Sequence, residues 1–258
     1  MSIRRIVAPV VGIVVFVASW EAAVRMLHIR PFVLRAPSQI IAYLGHHPHD
    51  FAAASWLTLR HSLIGLLLAL AVAVLSGAFQ AAMPFLEQAT QPVLVLVQVA
   101  PFVAYIAPVV LWLGDGTPPV LFIVGLVCLP AFVFATVDGM RSADTAAREL
   151  LASVDAPRRT VLWRLRLPSA APALFTAARY NLGLALIAAY LVEGANLTNR
   201  GLGAIGKRAA ALSVGDALWA TVFCMTLLGT ATLVVMSMLQ RIVLHWHPSQ
   251  QSPRPASR

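Results

Sequence analysis

The sequence predicts an all-α membrane protein that crosses the bilayer several times, and three observations support this fold class. Hydrophobic residues make up 59% of the 258 residues, and charged residues make up only 11%. Mean hydropathy is +0.80, whereas a soluble domain carries about 25% charged residues. Six apolar stretches are also long enough for a helix to cross about 30 Å of hydrocarbon. This composition excludes disordered, collagenous and disulfide-rich secreted proteins.

Each apolar stretch is predicted to form one membrane-spanning helix. The six spans lie at about 6–27, 62–83, 92–113, 118–137, 171–193 and 217–244. The first span follows Arg4-Arg5 and resembles a signal peptide, but it is too long and lacks a small-residue cleavage site. We therefore expect it to be a helix of the mature protein, in a single membrane domain over residues 1–258.

The distribution of basic residues predicts the orientation. An even number of spans returns both termini to the same side of the membrane. Together with the loop 138–168, that side holds 11 basic residues, whereas the other side holds 7. The excess places both termini and this loop in the cytoplasm. The formal charge of +9 is scattered among apolar stretches, so no nucleic-acid partner is expected. Residues 246–258, rich in Ser, Pro, Gln and Arg, are predicted to be disordered.

The loop 138–168, called here the coupling segment, is too polar for the bilayer and too patterned for a linker. Asp144 suits the N-cap of a helix at about 145–153, and Pro157 suits the first position of a second helix. The second helix has an apolar face and a basic face. Such a pair indicates a docking surface, although it also suits the headgroup layer of an anionic bilayer.

The spacing within the coupling segment resembles the cytoplasmic loop signature of ATP-binding cassette importer permeases. That signature is Glu-Ala-Ala, a Gly after three further residues, and Ile-x-Leu-Pro after nine more. It aligns with Glu149-Leu150-Leu151, Asp155, Leu165 and Leu167-Pro168. Leu150 and Leu151 are bulkier than alanine, and Asp155 adopts a left-handed backbone less readily than glycine.

Other stretches resemble the branch of this superfamily that imports sulfonates, taurine, nitrate and related small solutes. They are Trp20-Glu21 with Arg25, residues 34–38, Pro101 and Pro108 followed by residues 111–114, and Gly201-Leu202-Gly203 after Glu193. The resemblance extends over about residues 15–245. The order and spacing of these stretches are more specific than any one of them.

The resemblance implies a six-helix permease of the type I importer fold in a bacterial inner membrane. It implies no catalytic residue and no cofactor in this chain, because a separate ATPase hydrolyses ATP. The implied partners are two ATPase subunits, a second permease copy, an extracytoplasmic solute-binding protein and the lipid bilayer. The implied ATPase-coupling residues are Glu149, Leu150, Leu151, Asp155, Arg158, Arg159, Leu165, Leu167 and Pro168.

Polar residues inside the predicted spans are candidates for the translocation path, because they are costly to bury in a bilayer. The candidates are Gln98, Tyr105, Arg179, Asn181, Tyr190 and Glu193. Arg179 and Asn181 come first, on the hypothesis that their face of the helix lines the path. A hydrogen bond between packed helices is the alternative explanation for each candidate. Glu21 and Arg25, one turn apart, are instead predicted to pair with each other.

The sequence from Gly201 to Lys207 fits a dinucleotide-binding pattern, but it follows a membrane span rather than a strand, so nucleotide binding is not expected. Instead, Gly201 and Gly203 are predicted to let an outer gate loop, within the Gly-rich segment 194–216, turn back toward the pore mouth. Cys128 and Cys224 are isolated in apolar stretches, and no metal site is expected.

Two other classes of protein are alternatives to the importer permease. An ion-coupled secondary transporter usually has acidic residues in mid-membrane and inverted repeats, and neither is evident in the sequence. A membrane enzyme needs a nucleophile, base or metal grouping at the end of a span, and no such grouping is evident either. The secondary transporter remains the alternative hypothesis.

Overall fold

The computed structural model describes residues 4–30, 33–196 and 200–245, and every regular element in these ranges is helical. The predicted all-α class is confirmed. The predicted disordered tail, 246–258, lies outside the described residues. The α-helices are α1 (Arg4–Met26), α2 (Pro37–His46), α3 (Pro48–Ala82), α4 (Pro84–Val99), α5 (Phe102–Leu113), α6 (Thr117–Arg141), α7 (Thr145–Ser153), α8 (Arg158–Val161), α9 (Leu167–Ala195), α10 (Leu202–Ala211) and α11 (Gly215–Val243).

The number of candidate membrane spans is five or six, depending on how one bent pair is counted. Within the described residues, α1, α3, α6, α8 continued by α9, and α11 are each long and apolar enough to cross a bilayer. Helices α4 and α5 pass the same test only together, and they are bent by 96° relative to each other. The six predicted spans therefore correspond to helices, but the third is not straight.

The second predicted span, 62–83, corresponds to a helix that starts at Pro48 and contains 35 residues. At 1.5 Å per residue it is about 52 Å long, longer than the hydrocarbon layer. Proline at the first helical position explains the early start. Buried residues continue through the added turns at helical spacing, with Phe51, Ala54 and Thr58 on one face.

The third predicted span, 92–113, is broken between α4 and α5. Pro101 has no backbone N–H to continue α4, and the residue before a proline is pushed into the extended region. Ala100 has φ −64° and ψ 134°, as this rule requires. The sharp bend is therefore a local consequence of the Ala100-Pro101 sequence.

The fifth predicted span, 171–193, is part of a longer helical stretch. Helix α8 runs through a π-helical segment, Leu162–Arg166, directly into α9. Pro168 cannot donate a hydrogen bond to the Arg164 carbonyl, and the wider π-helical turn upstream accommodates this missing bond. The second short helix predicted for the coupling segment is thus continuous with the fifth span rather than separate from it.

Helices α3, α6 and α9 form the centre of the bundle. Their buried side chains make one hydrophobic cluster that includes Ala73, Val124, Phe132 and Ala185. Helices α1 and α11 are peripheral, because only 6% of the most apolar stretch of each helix is buried. Glu21 and Arg25 of α1 form the predicted pair at 2.6 Å, so that prediction is confirmed.

Polar contacts tie the helices together at both ends of the bundle. We call the end with α7 the coupling end and the opposite end, with α10, the far end. At the coupling end, Arg141 forms an ion pair with Glu87. At the far end, Asn196 donates from Nδ2 to the Gly116 carbonyl at 2.8 Å and accepts from the Gly116 N–H at 3.1 Å.

Replacing Asn196 with alanine removes both hydrogen bonds to Gly116 and leaves its backbone groups without this partner. We expect the free energy of unfolding to fall by about 1–3 kcal/mol and the melting temperature in detergent to drop by about 2 °C or more. Thr230→Val is the matched control, since the Thr230 hydroxyl bonds only to the Thr226 carbonyl of its own helix. Equal melting temperatures for both variants would contradict this role of Asn196.

Candidate functional site

The coupling segment begins with the short helix α7, as predicted. The Asp144 side chain accepts a hydrogen bond from the Ala147 N–H at 2.8 Å and so caps the helix. The helix ends before Asp155, which has φ +49° and lies in the left-handed region. Asp155 therefore adopts the backbone conformation that the family signature assigns to glycine.

A groove at the coupling end separates α7 from the end of α3 and from the start of the α8–α9 stretch. Its volume is about 660 Å³, and four guanidinium groups line it. None of the four forms an ion pair with a carboxylate in the described part of the chain. We call it the basic groove. Its lining includes Ala78, Ala81, Ala82, Arg148, Leu151, Ala152, Ala156, Arg158, Arg159, Val161, Leu162 and Arg166.

The predicted coupling residues fall into three groups. Leu151, Arg158 and Arg159 line the basic groove. Glu149, Leu150 and Asp155 are exposed, and the Leu150 side chain is 66% exposed although it is apolar. Leu165, Leu167 and Pro168 are half-buried where the π-helical segment joins α9. Helix α7 has no buried residue, and seven of its nine residues are exposed, so most of its surface is accessible to a partner.

A buried polar cluster lies at the far end, centred on the Glu193 carboxylate, which is fully buried. It accepts hydrogen bonds from the Thr58 hydroxyl at 2.7 Å and from the Gly203 N–H at 3.3 Å, and it pairs with His61 Nδ1 at 2.8 Å. The other ring nitrogen of His61 lies 3.3 Å from the Thr117 hydroxyl. A single carboxylate thus joins α3, α9 and α10.

The Gly-rich segment 194–216, predicted to be an outer loop, contains the helix α10. Gly201 and Gly203 lie where α10 packs on α9, and neither has a positive φ. A Cβ at Gly203 would overlap the Tyr190 carbonyl oxygen, and a Cβ at Gly201 would overlap the Glu193 carboxylate. In this structure the two glycines therefore permit close packing, and their function in an outer gate stays a prediction.

The structure brings together two of the predicted path residues at the α4–α5 bend. Gln98 and Asn181 line a cavity of about 290 Å³ there, which we call the bend cavity. Asn181 is only 3% exposed and donates from Nδ2 to the Cys128 carbonyl at 3.0 Å. Asn181 therefore takes part in helix packing and also borders the bend cavity, while its function in a translocation path stays a prediction.

The other predicted path residues lie elsewhere. Arg179 is exposed, and it lies on the opposite side of α9 from Asn181 because residues two apart are about 200° apart on a helix. Tyr105 is exposed on α5. The Tyr190 hydroxyl lies 3.4 Å from the Thr221 hydroxyl, beside the buried polar cluster that contains Glu193.

Sequence reasoning missed Thr58 and His61. A detectable signal was present, since Thr58, His61 and Ser62 are polar residues spaced to lie on one face of a helix. Placing the start of the second span at residue 62 hid that pattern. No group of three metal-binding side chains occurs within the residues that the structure covers.

Residues 63–245 match the family described as the binding-protein-dependent transport system inner membrane component. The chain belongs to this family. The permease resembles the formylaminopyrimidine transport permease protein ThiX of Halalkalibacterium halodurans, with 27% identity over 94% of this chain and 96% of the relative. It is 26% identical to the taurine transport system permease protein TauC of Escherichia coli, over 96% of this chain and 92% of that relative. The predicted resemblance to importer permeases is confirmed.

A further relative supports the same assignment, and two solved structures share the fold. The riboflavin transport system permease protein RibX of Chloroflexus aurantiacus is 28% identical, over 96% of this chain and 94% of that relative. A chain of the inward-facing MetNI methionine ABC transporter matches with a TM-score of 0.66 and 15% identity, over 75% of this permease and 96% of that chain. A chain of an amino acid ABC transporter matches with a TM-score of 0.58 and 12% identity, over 80% and 98%. These structures confirm the importer permease fold.

Gly203→Ala is expected to displace α10, because a methyl group at this position meets the backbone of α9 rather than a flexible side chain. We expect a loss of about 2 kcal/mol or more in the free energy of unfolding, measured as a lower melting temperature in detergent. Gly183→Ala is the matched control, since a Cβ there meets no atom within 4 Å. If Gly203→Ala melts like the control, α10 is not packed as described.

Proposed function

We propose that this permease is the membrane subunit of an ATP-driven importer that takes a small polar or anionic solute, such as a sulfonate, taurine or nitrate, from an extracytoplasmic binding protein. The observation that carries the proposal is the exposed α7 with the basic groove behind it. The two offer apolar and charged contacts that the described part of the chain leaves uncovered. Family membership supports the same function. The permease itself catalyses no reaction and needs no cofactor.

The partner at the coupling end is a pair of ATPase subunits, one for each of two permease copies. Leu150 and Leu151 supply apolar contacts, while Glu149 and the arginines of the basic groove supply charged ones. A few side chains that fill pockets of the partner carry most of the binding energy at such interfaces, and arginine is one of the residue types enriched at these positions. With the ATPases on this side, the coupling end faces the cytoplasm, and both termini lie there too.

Movement at the coupling end reaches the far end through one helical stretch. Residues Arg158–Ala195 form 38 continuous helical residues, so α8 in the coupling segment is directly connected to Glu193 in the buried polar cluster. Closure of the ATPases therefore tilts α9 and strains the contacts that hold α10 in place. Rigid-body rocking of this kind is how alternating access is achieved.

One observation favours the ion-coupled secondary transporter, namely the buried pair of Glu193 and His61. An acid and a histidine within membrane-spanning helices are typical of proton relays. Here both side chains are held in hydrogen bonds to α3, α6 and α10, and their side chains are 0% and 3% exposed. This arrangement suits a structural tie better than a proton path, and α7 has no function in that alternative.

Replacing Glu149 and Leu151 with arginine places positive charge on α7 and beside the basic groove. We expect the ATPase that co-purifies in mild detergent, at a near one-to-one ratio with the wild-type permease, to be lost by at least about tenfold. The measurement is mass spectrometry of the tagged permease purified from its native host.

Arg241→Glu is the control for this experiment, because Arg241 is exposed in the last turn of α11, away from the groove. It should retain the ATPase. If the wild-type permease purifies without any ATPase under conditions that preserve known transporter complexes, the importer function is wrong and the secondary transporter is favoured.

The Asp155→Gly variant should still bind the ATPase, and the backbone amides of α7 should exchange with solvent more slowly than in the wild-type permease. A non-glycine residue in the left-handed conformation costs about 1–2 kcal/mol, and glycine at position 155 removes this cost. Part of the resulting gain in stability is offset, because glycine has more conformational freedom in the unfolded chain. Asp155→Val should have the opposite effect, since a β-branched residue strongly disfavours this conformation. Identical exchange in both variants would show that the turn at residue 155 does not define the position of α7.

A further inference from the structure

A groove at the far end separates the start of α3 from α10, and we call it the far-end groove. Its volume is about 700 Å³. The end of α2 and the first turns of α3 form one wall, and α10 with the segment just before it forms the other. Its lining includes Tyr43, Asp50, Phe51, Trp56, Arg200 and Arg208.

The far-end groove lies in the aqueous phase outside the bilayer. Residues 62–82 of α3 contain no charged side chain, and at 1.5 Å per residue they are about 31 Å long, which matches the hydrocarbon layer. Arg60, just before this stretch, is exposed. The part of α3 that lines the groove lies between residues 50 and 57, further from the bilayer than Arg60. Lipid chains are therefore excluded as its occupant.

The walls of the groove carry residue types that dominate protein–protein interfaces. Tryptophan, tyrosine and arginine are enriched among the side chains that contribute most of the binding energy. Trp56 is 66% exposed although it lies in the aqueous phase. The Tyr43 ring is fixed by its neighbours, since it stacks on His47 at 4.6 Å and meets Phe51 edge-on at 6.1 Å between ring centroids. Such a pre-ordered aromatic surface loses little conformational entropy when a partner covers it.

The charges in the groove favour an acidic partner. The guanidinium groups of Arg200 and Arg208 line it together with one carboxylate, that of Asp50. Arg208 is exposed and forms no ion pair within the described part of the chain. The lining therefore has an excess of positive charge, and a carboxylate on the surface of a partner complements it.

The two walls of the groove are joined at the buried polar cluster. The Thr58 hydroxyl accepts a hydrogen bond from the Leu202 N–H at 2.9 Å and donates one to Glu193 at 2.7 Å. With the bond from the Gly203 N–H to Glu193, the first N–H groups of α10 gain partners from α3 and α9. A partner that favours one spacing of α3 and α10 therefore shifts the equilibrium between arrangements of this cluster.

We infer that the far-end groove is the docking site of the extracytoplasmic solute-binding protein, which inserts a protruding acidic loop between α3 and α10. This inference rests on the proposed import function, in which the binding protein meets the permease from the aqueous phase at the far end. A volume of about 700 Å³ is within the range of about 300–1,000 Å³ for ligand pockets. The groove therefore admits the side chains of a loop rather than a whole domain.

The test uses the complete transporter with its ATPase, reconstituted in lipid nanodiscs, and the purified binding protein of the same transporter as the probe. The measurement is the Kd of the binding protein by biolayer interferometry at about 0.15 M salt. Trp56→Ala and Arg208→Glu should each weaken binding about tenfold or more, because one removes an aromatic anchor and the other reverses the complementary charge. The permease-to-ATPase ratio should equal that of the wild type, which shows that the variants are assembled.

Lys207→Glu is the matched control, because Lys207 precedes Arg208 on α10, is also exposed and does not line the groove. It should change the Kd by less than about threefold, since salt screens charges outside the contact.

An unchanged Kd in both groove variants, or an equal loss in Lys207→Glu, would overturn the assignment of the groove while keeping the import function. Loss of the second permease copy from a groove variant would overturn it as well and assign the groove to contact between copies. A wild-type transporter that does not bind the binding protein at all would overturn the proposed import function itself.

Discussion

The fully buried carboxylate of Glu193 is the constraint on which the arrangement at the far end depends. An ionisable group without hydrogen-bond partners costs several kcal/mol in a low-dielectric environment. The bundle avoids this cost by bringing Thr58 and His61 of α3 and the Gly203 N–H of α10 to the same carboxylate. These bonds set how α3 and α10 lie against α9. The close approach of α10 requires glycine at two positions, Gly201 just before the helix and Gly203 within it.

The stretch from α8 to α9 connects this buried polar cluster to the opposite end of the molecule. A helix transmits displacement along its axis because its backbone hydrogen bonds are saturated within the helix. The π-helical segment 162–166 lets the helix continue past Pro168 without breaking. As a result, the coupling end and the contacts that hold α10 are linked by one continuous helical stretch.

The bend between α4 and α5 has the opposite character, because it interrupts a span rather than extending one. Unpaired backbone groups at a broken helix are tolerated at membrane depth only where protein or a cavity surrounds them. The bend cavity provides such a place, and its uncharged lining separates it from the basic groove at the coupling end. The two cavities thus differ in chemistry, since four arginines line the basic groove and no charged side chain lines the bend cavity in the described residues.

The sequence by itself determined the membrane class, the family and the main features of the coupling segment. These depend on local properties, namely composition, apolar length, the Asp144 cap and the turn at Asp155, which residues close in the chain specify. The bend at Pro101 was also specified locally by the Ala100-Pro101 sequence, although a continuous span had been predicted. Only the tertiary structure decided that Glu193 binds Thr58 and His61, that Gly201 and Gly203 permit close packing, and that Gln98 and Asn181 line one cavity. These contacts join residues far apart in the chain, and their geometry depends on how whole helices pack.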